Sequence, residues 1–127
     1  MATITIDGKS FDLEKVSDKA RAQISSLQVV EKELNLLQSK IAMTQTARNA
    51  YASSLAPQLP KKAPKNAKQT VTIDGTAYSI ASFSDQAKAL LSSLDIADKK
   101  LDQLQKEVAI TQTARNAYAK VLQSELN

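Results

Sequence analysis

Thr44-Gln45-Thr46-Ala47-Arg48-Asn49-Ala50-Tyr51-Ala52 recurs, residue for residue, from Thr111 to Ala119. The same shift of 67 residues carries Ser25-Ser26-Leu27 onto Ser92-Ser93-Leu94 and Ser17-Asp18 onto Ser84-Asp85. It also carries Thr3-Ile4-Thr5-Ile6-Asp7-Gly8 onto Thr70-Val71-Thr72-Ile73-Asp74-Gly75. No gap is needed, and nearly half of the aligned positions are identical. Self-similarity at a fixed period is the mark of a duplicated unit. The chain therefore reads as module 1 over 1–56, a linker over 57–69 and module 2 over 70–127. Pro57, Pro60, Pro64 and four lysines predict an extended, solvated linker.

Each module opens with Asp-Gly between alternating apolar residues, the strongest short-range hairpin signal. A turn at Asp7-Gly8 pairs Ile6 with Lys9 and Ile4 with Phe11. Ala2, Ile4, Ile6, Phe11 and Leu13 then share one face, as do Val71, Ile73, Tyr78 and Ile80. An isolated two-stranded hairpin is marginal in water, so this face must rest on a helix.

Ser17 and Ser84 are good N-caps, each followed by an Asp suited to the positive helix end. From there to Leu55, and to about Leu122, neither copy contains Gly or Pro. Leu27, Val30, Leu34, Leu37, Ile41, Thr44, Arg48, Tyr51 and Leu55 recur at alternating spacings of three and four. Leu94, Ala97, Leu101, Leu104, Val108, Thr111, Arg115, Tyr118 and Leu122 repeat the pattern, a heptad seam. A second row widens it: Val29, Leu36, Met43 and Ala50, then Ile96, Gln103, Ile110 and Ala117. So broad a stripe suits a multi-helix bundle better than a bare two-stranded coil. The serine pairs at 25–26 and 92–93 are the places where a short first helix could end.

A helix from Asp18 to Leu55 is about 57 Å long at about 1.5 Å per residue. Residues 56–69 span at most about 46–50 Å when fully extended. Parallel helices in register would overstretch that link; antiparallel helices would not. The expected fold is α+β, predominantly α. Two hairpin–long-helix modules are related by a pseudo-twofold, with helices packed antiparallel in coiled-coil fashion.

Composition narrows the function. Cysteine, histidine and tryptophan are absent, which removes disulfides, thiolate metal sites and the commonest general base. Both glycines are turn residues, so no phosphate-cradling loop is present, and no nucleophile elbow occurs. Catalysis, a metal, a cofactor and a small-molecule substrate are all unexpected. No apolar run reaches the length of a membrane span. Met1-Ala2-Thr3-Ile4-Thr5 does not resemble a signal peptide, so a cytoplasmic protein or a virion component is expected. The formal charge of +4 lies in Lys61, Lys62, Lys65 and Lys68; elsewhere 13 basic residues balance 13 acidic ones. Those lysines could attract nucleic acid weakly through phosphates. No aromatic interleaves with them, so a spacer is the expected role and nucleic acid is not an expected partner.

The repeated nonapeptide covers every face of its helix. It supplies the candidate protein-binding or intermodule residues: Thr44, Gln45, Arg48, Asn49 and Tyr51, with Thr111, Gln112, Arg115, Asn116 and Tyr118. One reading is a docking surface for another protein. The other is packing against the partner helix on one side and a hairpin on another. An Arg in a seam requires a partner, for which Asp7, Asp74 and hairpin carbonyls are candidates.

The Ile4–Gly8 hairpin, the helix start Ser17-Asp18-Lys19-Ala20-Arg21-Ala22 and the helix ending in the nonapeptide resemble a small uncharacterised domain family of bacteria and their phages. The resemblance covers each copy nearly end to end and skips the linker. Such domains usually occur singly, so a tandem chain departs from the usual form. The resemblance implies no established activity. It implies a phage-related accessory or structural role and self-association of single modules, with a tandem chain as the covalent version of a module dimer. The expectation is a non-enzymatic structural or protein-interaction protein that assembles through its helical stripes. The alternatives are a regulatory binder of a host protein through the nonapeptide, and weak nucleic-acid association through the linker.

Overall fold

A computed structural model describes residues 3–6 and 8–126, without the side chain of Ile6. In chain order the elements are β1 (Thr3–Ile6), β2 (Lys9–Asp12), α1 (Asp18–Leu55), β3 (Thr70–Ile73), β4 (Thr76–Ser79) and α2 (Asp85–Leu126). Single 3-10 turns occupy Ala56–Gln58 and Ile80–Ser82. The fold is α+β and predominantly α, with α1 and α2 packed antiparallel.

Both hairpins have the expected register. Ile6 faces Lys9 and Ile4 faces Phe11; Ile73 faces Thr76 and Val71 faces Tyr78. Asp74 and Gly75 both have positive φ, 49° and 81°, as a two-residue turn matching strand twist demands. Ala2 and Asp7 lie outside the described residues.

Both helices begin as expected. The Ala20 and Ala87 amides donate to the Ser17 and Ser84 hydroxyls, each at 3.1 Å. Each helix then runs unbroken through its serine pair. Serine is only a modest helix former, but without Gly or Pro nearby nothing stops propagation. α2 continues past Leu122 to Leu126.

The chain folds into two compact units that cut across the sequence repeats. Unit 1 is Met1–Lys40 with Leu104–Asn127, and unit 2 is Ile41–Gln103. Each takes a hairpin, the first half of the helix that follows it, and the second half of the other helix. In unit 1, Ala20, Ile24 and Leu122 form the buried cluster, flanked by Ile4, Leu13, Val16, Leu27 and Leu126. In unit 2, Leu55, Phe83 and Ala87 are buried beneath Val71, Ile73, Tyr78 and Leu59. The hairpin face therefore rests on the end of the other module's helix, as the linker length required.

Two expectations for the hairpin and linker of unit 2 need correction. Ile80 is exposed, because the chain leaves β4 at Ser79 and the 3-10 turn rotates Ile80 off the apolar face. The linker is not free throughout. Leu59 packs on the cluster, and the Ala63 amide donates to the Ala77 carbonyl at 2.9 Å, along the edge of β4. A turn follows, closed by Ala67 N–H to the Pro64 carbonyl at 3.1 Å. An unpaired strand edge offers carbonyls to any neighbouring chain, and the linker is tethered beside it.

Candidate interaction site

The nonapeptide lies in the second half of each helix, where 3.6-residue periodicity divides it into an inward and an outward set. Thr44, Ala47, Arg48 and Tyr51 face inward and are half-buried. In unit 1, Thr111, Ala114 and Tyr118 are half-buried too, while Arg115 is more exposed. Gln45, Asn49, Gln112 and Asn116 face solvent. The Gln45 amide donates to Asn49 Oδ1 at 3.2 Å, one turn along the same helix. The Thr46 and Thr113 hydroxyls donate to the carbonyls of Ala42 and Ala109, four residues back.

The two arginines do the same thing in each unit. Arg48 Nε donates to Asp98 Oδ1 at 2.5 Å, and Arg115 Nε to Glu31 Oε1 at 2.5 Å. Asp98 and Glu31 are themselves equivalent under the 67-residue shift. The partners expected from the sequence were the hairpin residues Asp7 and Asp74. Asp7 lies outside the described residues. Asp74 joins Arg48 only as a wall of a cavity of about 230 Å³, floored by Val71, Ile73, Leu91 and Leu94. In each unit the guanidinium pairs with a carboxylate on the opposite helix. The corresponding cleft in unit 1 has a volume of about 680 Å³ and is walled by Ile4, Leu27, Glu31, Lys32 and Arg115. Partial exposure of every charge in these pairs keeps each worth about 0–1 kcal/mol.

The heptad seam is covered as expected: Val30, Leu34, Leu37 and Leu55 on α1, and Ala97, Leu104 and Leu122 on α2, are buried. The second row is not. Val29, Leu36 and Met43 are 68, 48 and 64 % exposed, and Ile96 and Ile110 are 67 and 70 % exposed. In unit 1, Val29 and Leu36 lie seven positions apart and so share one face of α1. In unit 2, Met43 and Ile96 border an open groove of about 320 Å³ whose floor includes Ala47 and Ala97. The sequence row that appeared to widen the core is thus a surface feature.

No protein family, curated protein or solved structure matches the chain. What the arrangement can do is read from its own residues.

Among the described residues, no cluster of three or more acidic side chains is placed to hold a metal ion. Among the described residues, no helix is long and apolar enough to cross a membrane. Lys61, Lys62, Lys65 and Lys68 are all exposed on the linker. Near the groove in unit 2, Lys99 sits 2.9 Å from Asp95. The hydrogen bond to that carboxylate, then its charge, holds the ammonium above its ordinary pKa.

Proposed function

We propose that the protein is a non-enzymatic structural or interaction module that docks another helical surface against its exposed apolar row. One observation supports this above the rest. Five large apolar side chains face solvent beside a packed seam, three of them (Val29, Leu36 and Met43) at seven-residue intervals on α1. Single exposed apolar residues are ordinary; a regular row along a helix is the pattern of a binding face. Helix-in-groove docking reads such anchors at intervals of three, four and seven. The resemblance to bacterial and phage domains supports a phage-related accessory or virion component as the setting.

The test uses the full chain and an M43S/I96S variant. Immobilised protein is expected to retain either itself or another protein from a bacterial lysate. The variant is expected to lose that retention at an unchanged melting temperature, since both side chains are already mostly in water. A wild-type chain that stays monomeric at millimolar concentration and retains nothing overturns the proposal.

The outward set of the nonapeptide supports a second reading, a regulatory binder of a host protein. Gln45, Asn49, Gln112 and Asn116 offer amide donors and acceptors at the surface of both units. On this reading a Q45A/N49A/Q112A/N116A variant loses a partner that M43S/I96S still binds.

A further inference from the structure

We propose that unit 1 binds a small amphipathic anion in the cleft between β1 and its helices, with the head group on Lys32 and the hydrocarbon tail against Ile4, Leu27 and Ala119. The site lies apart from the exposed apolar row, none of whose residues lines this cleft. It therefore stands or falls independently of the docking reading above.

The two units build this region from equivalent residues. Under the 67-residue shift, Ile4, Thr5, Leu27, Glu31 and Arg115 answer to Val71, Thr72, Leu94, Asp98 and Arg48. Arg115 pairs with Glu31 as Arg48 pairs with Asp98. Two differences set unit 1 apart. The first is room. Its cleft has a volume of about 680 Å³, against about 230 Å³ in unit 2. Small-ligand sites fall at about 300–1,000 Å³, so only the former is large enough.

The second difference is charge. In unit 2, three carboxylates (Asp74, Asp95 and Asp98) line the cavity against the single guanidinium of Arg48. Asp95 also holds the Lys99 ammonium at 2.9 Å. The unit 1 counterparts of Asp95 and Lys99 are Gln28 and Lys32, so the carboxylate is replaced by a neutral amide. Lys32 lines the cleft with Arg115 and Glu31, which leaves one positive charge in excess among the described lining residues. Glu31 is engaged by Arg115. Among the described residues, the Lys32 ammonium has no hydrogen-bond or ion-pair partner. An ammonium offers three donors and no acceptor, and beside apolar walls it complements an anion that carries an apolar tail. Lys32 is exposed, whereas Ile4, Leu27 and Ala119 are half-buried. The head group thus stays near water while the tail covers the apolar wall.

Isothermal titration calorimetry of the full chain with octanoate, kept below its micelle concentration, tests the site. A single octanoate is expected to bind each chain. Octylamine, with the same tail and the opposite charge, is expected not to bind. Lys32→Gln removes the ammonium and is expected to weaken octanoate binding about tenfold. Gln28→Asp keeps Lys32 but supplies the carboxylate that engages its counterpart in unit 2, and a similar loss is expected. Both positions are exposed, so the melting temperature is expected to stay unchanged. Competition between octanoate and octyl phosphate shows which head group is preferred, and either preference supports an anion site. M43S/I96S is expected to bind octanoate like the wild type, so this site and the docking row fail separately. Binding that does not saturate, that survives both K32Q and Q28D, or that octylamine reproduces overturns the proposal.

Discussion

The joint between hairpin and helix is made differently in the two units. In unit 2 it is apolar: Phe83 is buried on Leu55 and Ala87 and meets Tyr78 edge-on, with ring centroids 6.1 Å apart at 70°. In unit 1 the equivalent residue is Val16, which is only half-buried, and the joint is held by a polar clamp. Arg21 donates from Nε to the Leu13 carbonyl at 3.0 Å and from a terminal nitrogen to the Glu14 carbonyl at 3.1 Å. Its counterpart Lys88 carries a flexible ammonium in place of that planar fork, which is less well matched to two adjacent carbonyls. The two units share strand register and helix start, while the chemistry of the corner differs between them.

Breaking the apolar corner is expected to have the largest effect. Phe83→Ala should cost about 3–5 kcal/mol, whereas Val16→Ala should cost about 1 kcal/mol, since much of Val16 is already in water. Chemical denaturation of the two variants checks the difference, and equal costs would show that the corners are equivalent after all. Breaking the polar clamp comes next. Arg21→Ala should cost about 1–2 kcal/mol, and Lys88→Ala should be within about 0.5 kcal/mol of the wild type. Hydrogen exchange sharpens this: loss of the clamp should speed exchange of the β1 and β2 amides and leave those of β3 and β4 unchanged. The smallest effect is expected where the units agree. Arg48→Gln and Arg115→Gln should each cost about 0.2–1 kcal/mol, by equal amounts, and the cost should shrink at high salt. A much larger cost for one would mean that its pair does more than align the helices.

These outcomes follow from where each side chain lies along the chain relative to its partner. Arg21 reaches back only seven or eight residues, yet the clamp was not legible in advance, because the course of residues 13–17 sets where those carbonyls point. The pairing of Arg48 with Asp98 spans fifty residues. Its sequence signature was only that a seam arginine requires some acceptor. Hairpin aspartates and the carboxylate one seam away were both compatible with that requirement. In the structure Arg48 pairs with the latter.

The amino-acid sequence alone determined the elements and their local geometry. Asp-Gly turns, alternating strands, serine caps and uninterrupted helices follow from interactions within a few residues. Periodicity then named the buried seam from Val30 to Leu55 and its copy. The linker, too short for parallel helices, settled their antiparallel course. Only the tertiary structure decided which apolar rows meet, since two rows on one helix carry the same hydrophobic signal and a single neighbouring helix can cover just one. It also decided that each compact unit borrows half a helix from the other repeat, and that the linker lies along β4. Those outcomes depend on distances between residues far apart in the chain, and such distances exist only once the helices have packed.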